Sequence, residues 1–447
     1  MNARRWRIVD AVYLAALMLY ALAGTSLVPF HGDEPMQIYF SGDYEVAVLQ
    51  GNPAALTTRP PYDIDSDPQL RILNGSVHRY LVGLARQLSG IGADQLPPHP
   101  GWDWGLTYDR NVETGHRPSD ALLMAGRWSS SLLLALSAPL AFGLGWVVGK
   151  RPGAYLAAGL IMLNPIVLLN GRRAMQEGAL LFFGLAVVLT AAWIASKRAG
   201  NKPVSPLWWA LLALTGGLAL ASKHSTLPFI GGALAWVFLG ELTHFKLRPF
   251  LKTTGALIAC GLLMVGVFFV LSPALWDDPL ARFRDLLQVR ATLLDIQTAG
   301  APTSLEYRAV GMFVVPYLVP PQFFEVESWG EAATIVAEID RYLASGLAGI
   351  PFASLLGAVV TGLMLVGMIV ALLRRVRPFA EWATALGLFA WWGITALSLL
   401  ANPLPWQRYF LSLIPPAALF ATIGTLGLWN AVIGGWARRR AAIRAEA

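Results

Sequence analysis

Apolar runs close to 20 residues long recur along the whole chain, and nothing else in the sequence limits its fold as strongly. A helix needs about 20 such residues to cross roughly 30 Å of hydrocarbon, and in lipid every backbone polar group must find its partner inside the protein. Ten runs meet the length, at about 8–29, 121–148, 153–171, 176–195, 206–222, 225–240, 253–275, 347–372, 379–400 and 408–432. Charged residues make up 14% of the chain, against about a quarter in soluble domains. The expected fold class is an all-α polytopic membrane protein.

The segments between the runs sort by charge. Clusters at 4–7, 150–151, 197–202, 246–252, 374–377 and 438–444 hold eighteen of the 34 basic residues, and their segments carry four acidic ones, Asp10, Glu241, Glu381 and Glu446. By the positive-inside rule this set is cytoplasmic, which puts both termini inside. The first run is too long for the apolar core of a signal peptide and no cleavage site follows it convincingly, so it reads as an uncleaved span. The formal charge of +7 comes from these short clusters, a topological pattern that argues against a nucleic-acid partner. The single cysteine, Cys260, sits inside a run and excludes an intramolecular disulfide.

Two long segments fall on the other side. In the first, about 30–120, Asn74–Ser89 reads as an amphipathic helix with Val77, Tyr80, Leu81, Leu84 and Leu88 on one face. Arg79 and Arg86 flank that face, as in a helix lying in the interface plane. A second helix is expected over 34–50, and Trp102 and Trp104 read as anchors at headgroup level. The second segment, 276–346, opens on Trp276-Asp277-Asp278-Pro279 and continues into a helix rich in Arg and Leu. Its apolar piece 309–324 reads as interfacial or re-entrant, because a full crossing would move the 374–377 cluster outside.

Ionisable residues gather at the outer ends of the spans. Asp33-Glu34 follows the first run directly, and acidic groups at that depth are costly unless they have a function or have reached water. Arg127 lies inside the second run, Arg172, Arg173 and Glu177 make the turn before the fourth span, Lys223-His224 follows the fifth, and Arg408-Tyr409 opens the last. Snorkelling to lipid headgroups would account for Arg172, Arg173 and Lys223, and interfacial anchoring for Arg408 with Tyr409. Arg127, several residues into a span, needs a partner. An anionic headgroup would account for the whole set, since arginine matches phosphate oxygens bidentately and lysine adds a point charge. A carboxylate beside it could act as general base toward an acceptor hydroxyl, while the cations stabilise charge on a departing phosphate.

The layout resembles the GT-C-fold membrane glycosyltransferases that use polyprenyl-phosphate sugars, and most of all the protein O-mannosyltransferase and lipid A aminoarabinose transferase group. The family's Asp-Glu pair after the first span is matched by Asp33-Glu34, its second-span arginine by Arg127, and its arginine-containing turn by Arg172, Arg173 and Glu177. Lys223 matches a lysine after span five. Ser272-Pro273-Ala274-Leu275-Trp276-Asp277-Asp278-Pro279 is similar to its Asn-Pro-x-Leu-Trp-x-x-Pro element, and Trp406-Gln407-Arg408-Tyr409 to its Trp-x-Arg-Tyr.

The resemblance implies one transmembrane glycosyltransferase domain over 1–447. It implies inverting transfer of a hexose or pentose from a polyprenyl-phosphate donor to a hydroxyl of a protein, glycan or lipid acceptor, at the external face of a bacterial inner membrane. Asp33, Glu34 and Glu177 would be catalytic, with Asp33 the base. Arg127, Arg172, Arg173, Lys223 and Arg408 would hold the carrier phosphate. His78, Arg79, Trp276 and Tyr409 are candidates for the acceptor side or its loops. No residue spacing demands a metal, and no cofactor is implied. The competing reading is a transporter or flippase for a lipid or polar solute, which would place ionisable groups near the midplane and show a repeat between halves. Neither is visible.

Overall fold

The computed structural model describes residues 3–446 apart from 201, 244, 300–302, 374–378 and 405, so the cluster Arg374, Arg375 and Arg377 lies outside the described residues. Among the described residues every regular element is helical. The chain enters through α1 (Ala3–Ala23), then leaves the bundle for four short helices, α2 (Asp33–Tyr39), α3 (Asp67–Leu73), α4 (Ser76–Leu88) and α5 (Tyr108–Glu113). It returns through α6 (Asp120–Met162), α7 (Pro165–Arg172), α8 (Glu177–Ala199), α9 (Pro206–Ser222), α10 (Leu227–Leu242) and α11 (Leu247–Leu271). A second excursion carries α12 (Pro279–Thr298), α13 (Leu305–Leu318) and α14 (Ala333–Ala344), before α15 (Leu355–Leu373), α16 (Phe379–Ala401) and α17 (Ile414–Glu446) close the bundle.

Eight helices among the described residues are long and apolar enough to cross a membrane, and Pro206–Ser222 is a shorter apolar one. The chain is an integral membrane protein. One of the eight, α6, has 43 residues and would measure about 65 Å if straight. It is a hairpin instead. Gly149 (φ −142°) and Lys150 (φ +57°) leave helical geometry, and Pro152 starts the returning arm, where its missing N–H costs nothing. The two arms touch: a Cβ on Gly145 would lie 2.4 Å from the Gly153 carbonyl oxygen and 2.7 Å from the Ala157 methyl. The returning arm breaks again at Asn164-Pro165. There the Asn164 side chain accepts from the N–H groups of Ile166 and Val167 at 3.0 and 3.4 Å and donates to the Pro316 carbonyl at 2.8 Å. All ten apolar segments read from the sequence therefore coincide with helices over most of their length, though 24–29 and 347–354 lie outside them.

The core of the bundle is one apolar cluster to which α1, α6–α11, α13 and α15–α17 contribute. Leu262, Val270, Leu355 and Leu397 point away from it and are exposed, as a lipid-facing surface requires. The 14-residue α13 is about 21 Å long, short of a crossing, and Met312, Val315 and Tyr317 bury into the main core. One face of the 309–324 piece thus packs against the bundle.

Two local expectations are corrected. Helix α4 forms where its periodicity places it, with Val77 and Leu81 packed inward and Leu84 and Leu88 exposed, but Arg79 and Arg86 do not flank an interfacial face: both are buried. The reason is the helical run over 33–49, which lies against α4 and brings Asp43 and Glu45 to it. Arg79 donates to Asp43 at 2.8 Å and Arg86 pairs with Glu45, because a buried carboxylate needs a charged partner more than a leucine needs burial. Trp102 is not a headgroup anchor either. It is buried against Phe30, Tyr108 and Trp329, with ring centroids 5.2–5.7 Å apart, and only Trp104, stacked on Trp329, keeps an open face.

Helices α15 and α17 meet through glycines. A Cβ on Gly367 would lie 1.8 Å from the Phe420 carbonyl oxygen, and one on Gly424 would lie 1.9 Å from that of Leu363. Small residues let backbones approach this closely, and close packing drives helix association in lipid. Gly362, on the same helix, faces open space. Gly367→Leu is therefore expected to cost more than about 3 kcal/mol, the upper range for an overpacked core, while Gly362→Leu is tolerated. Thermal unfolding and size-exclusion profiles of the detergent-solubilised variants check this.

Candidate functional site

The site is built where four chain segments converge: the loop entering α2, the α7–α8 turn, the stretch before α14, and the start of the last span. Its foundation is Glu34, fully buried. Arg127 on α6 donates to both carboxylate oxygens, from Nε and Nη2, each at 2.8 Å. The backbone N–H groups of Ala174 (2.8 Å) and His31 (3.0 Å) complete the shell. The third arm of Arg127, Nη1, donates to the Val28 carbonyl at 2.8 Å. Here is the partner that an arginine inside a span requires. Glu34 is saturated, so its carboxylate is committed to holding the loop to the bundle.

Arg172 and Arg173 are also committed. Helix α1 ends with carbonyls that have no partner in the helix. Arg172 donates from Nη2 to Tyr20 at 2.6 Å and from Nε to Ala21 at 2.8 Å, and its Nη1 reaches the Tyr342 hydroxyl and the Leu347 carbonyl at 2.8 and 2.5 Å. Gly24 makes the room, since a Cβ there would lie 2.3 Å from the guanidinium carbon. Arg173 donates to the carbonyls of Pro29 (3.1 Å) and Phe323 (2.6 Å). Burial pulls its guanidinium down to about 10, which leaves it charged at neutral pH.

The groups that solvent can still reach are fewer. Side-chain exposure is 20% for Asp33, 11% for Arg408, 10% for Glu325 and 19% for Lys223. Asp33 pairs with Nη1 of Arg408, whose Nε also lies 3.3 Å from Glu325 in an ion pair. Glu325 in turn meets Nε2 of His31 at 2.5 Å, and Nδ1 of His31 accepts the Asp33 backbone N–H at 3.1 Å. That last bond requires a bare Nδ1, so the proton sits on Nε2 and is donated to Glu325. Burial alone would raise the Asp33 carboxyl, but the positive field of Arg408 outweighs it and holds the group below its ordinary value. Lys223 pairs with Glu177, the first residue of α8. Glu177 lies within the electrostatic reach of both Asp33 and Arg408.

The remaining candidates are placed as follows. His78 is fully buried on α4 with both ring nitrogens unpartnered, and burial pushes its imidazole down to about 4, which keeps it neutral. Arg79 is engaged by Asp43. Neither is positioned to touch an acceptor directly. The indole N–H of Trp276 donates to the Phe269 carbonyl at 2.6 Å, and Tyr409 stacks on Trp406 with centroids 5.7 Å apart. Glu325 was not singled out by the sequence. Its signal was there, since it ends the apolar piece 309–324 just as Asp33-Glu34 ends the first run. Among the described residues no group of three or more His, Cys, Asp or Glu side chains is placed to hold a metal ion.

The chain is similar to three solved structures. The protein O-mannosyltransferase Pmt1–Pmt2 complex of S. cerevisiae bound to the sugar donor is 18% identical over 63% of this chain and 34% of its own, with a TM-score of 0.39. The archaeal oligosaccharyltransferase AglB of Archaeoglobus fulgidus, in complex with an inhibitory peptide and a dolichol-phosphate, is 13% identical over 97% of this chain and 52% of its own, with a TM-score of 0.51. ArnT of Cupriavidus metallidurans bound to undecaprenyl phosphate is 12% identical over 95% of this chain and 77% of its own, with a TM-score of 0.42. The chain thus spans a third of the yeast protein's length and half of the archaeal one's. The archaeal match supports a shared GT-C fold. No curated protein matches the chain by sequence. The family model described as dolichyl-phosphate-mannose-protein mannosyltransferase matches residues 105–329, just over half of the chain, including Arg127, Arg172, Arg173, Glu177, Lys223 and Glu325. With its all-helical membrane architecture, the chain belongs to the dolichyl-phosphate-mannose-protein mannosyltransferase family.

Proposed function

We propose that the protein transfers a sugar from a polyprenyl-phosphate carrier to an acceptor hydroxyl, with Asp33 as general base. The observation that carries this reading is the partly exposed Asp33 carboxylate set against Arg408, with Lys223 as a second accessible cation. The acceptor oxygen attacks the anomeric carbon as Asp33 takes its proton. The bond from that carbon to the phosphate oxygen breaks, and its electrons pass to the phosphate. Arg408 and Lys223 stabilise the charge that develops there, where preorganised cations act most strongly. One displacement inverts the anomeric centre. Glu177 orients Lys223, while Glu34, Arg127, Arg172 and Arg173 build the walls.

The direction of α8 supports a site at the external face. Glu177 opens that helix and Lys197 and Arg198 lie in its last turn, about 35 Å away along 23 residues. The site is therefore at the opposite membrane face from a basic cluster, and basic clusters mark the cytoplasmic side. A protein, glycan or lipid acceptor would approach past the exposed face of Trp104, which packs beside His31 and Gly32. The accessible charges sit at helix ends rather than at the midplane, which favours transfer over transport.

Three outcomes test the reading. Asp33→Asn lowers transfer from a radiolabelled polyprenyl-phosphate sugar by about 10²–10⁴-fold, the contribution of a positioned base, with an unchanged melting temperature. Arg408→Gln removes the cation that depresses the Asp33 carboxyl. Its folded-state value then rises, so the acid limb of the pH–rate profile moves upward by roughly one to three pH units. Arg127→Gln behaves differently, because it leaves Glu34 buried and uncompensated. It is expected to lose about 3–5 kcal/mol of stability, read as a loss of folded protein in detergent before any kinetic effect.

A further inference from the structure

Glu325 lies on a stretch that is fastened to the start of the last span by an exchange of amides. The Gln322 backbone N–H donates to the Gln407 side chain at 2.7 Å, and the Gln407 N–H donates to the Gln322 side chain at 2.9 Å. Gln407 also donates from Nε2 to the Pro320 carbonyl at 2.9 Å, and Arg173 holds the Phe323 carbonyl. The carboxylate is therefore carried on a stretch clamped from two sides, one residue away from Arg408. It binds Arg408 through Nε, and it binds His31, whose other nitrogen accepts the Asp33 backbone N–H. A guanidinium carries five N–H donors in a rigid fork. Nε is anchored to Glu325 and Nη1 faces Asp33, while the guanidinium plane packs on Trp406 at 4.8 Å. A phosphate can approach the fork only from the Nη side, and there it meets Asp33 as its competitor.

We propose that Glu325 is a positioning residue which tethers Arg408 by Nε, so that the donor phosphate takes the Nη side of Arg408 away from Asp33 and thereby releases the base. This rests on the transferase reading above. The base is masked in the empty enzyme and exposed when the carrier arrives, so an acceptor is deprotonated only beside a bound donor. Linkage makes the coupling reciprocal: if Asp33 and phosphate compete for one cation, neutralising Asp33 strengthens phosphate binding by the same factor that phosphate weakens the hold on Asp33. The charged and titratable groups facing Asp33 are Arg408 from the last span, His31 from its own loop, Glu325 from the clamped stretch, and Glu177 with Lys223 from the ends of α8 and α9. Removing the Glu325 charge withdraws a negative neighbour that opposes Arg408 at close range, so Asp33 becomes a weaker base.

The test measures undecaprenyl phosphate binding and sugar transfer by the full-length protein in detergent. Asp33→Asn is expected to bind undecaprenyl phosphate roughly tenfold tighter than wild type. Glu325→Gln is expected to cut kcat at least tenfold and to move the acid limb of the pH profile downward, with kcat partly restored in Glu325→Asp and melting temperature preserved. Equal or weaker binding by Asp33→Asn overturns the proposal, as does Glu325→Gln with an unchanged kcat and limb. A Glu325→Gln defect that appears only as a lower melting temperature overturns it too, since that is a purely structural role. Failure of the transferase reading has a different signature: wild type binds undecaprenyl phosphate with the predicted Asp33 dependence yet transfers no sugar.

Discussion

The bond between Glu34 and Arg127 decides where everything else in the site can be. Each ion loses several kcal/mol of hydration on burial, and only complete hydrogen bonding offsets that loss. Glu34 obtains it from two guanidinium nitrogens and two backbone N–H groups drawn from α6, the α7–α8 turn and its own loop. A carboxylate so enclosed has one position. Its neighbour in sequence, Asp33, then inherits a fixed place at the mouth of the bundle, and the loop cannot shift without leaving a charge unpaired in a low dielectric.

Arginines at similar depth do unlike work because of what they meet. Arg127 answers a carboxylate, Arg172 answers the open carbonyls at the end of α1, and Arg79 answers Asp43. Arg408 is the one among these that shares its fork between two partly exposed acids. The family match over 105–329 covers Arg127, Arg172, Arg173, Lys223 and Glu325 but not Asp33, Glu34 or Arg408. Membership of the family and the proposed chemistry therefore stand on largely separate stretches of the chain.

The architecture was largely legible because lipid imposes it. Length, apolarity and alternating charge located ten apolar segments that coincide largely with helices, including both arms of the α6 hairpin, but not the break before α7. The acidic pair and the ionisable helix ends were also visible as residues that needed explaining. What the residue list withheld was pairing. Arg127, Arg172 and Arg173 looked like phosphate ligands because nothing in the sequence shows that Glu34 or a row of carbonyls already occupies them. The burial of Arg79 and Arg86 escaped the sequence for the same reason: Asp43 and Glu45 are remote from them along the chain, and only the packing reveals that they need those arginines. Glu325 was overlooked as a single acid in a long connecting segment.

The arginine cap on α1 has one more consequence. A helix whose last carbonyls are bonded by protein has no need to rise into water before it ends. The loop that follows can begin below the aqueous surface, at the depth where a lipid phosphate already resides. On the proposed reading, a polyprenyl carrier would then meet its catalyst by sliding sideways within one leaflet, its tail never leaving hydrocarbon. The encounter becomes a search in two dimensions, and extraction of the lipid ceases to be a step at all.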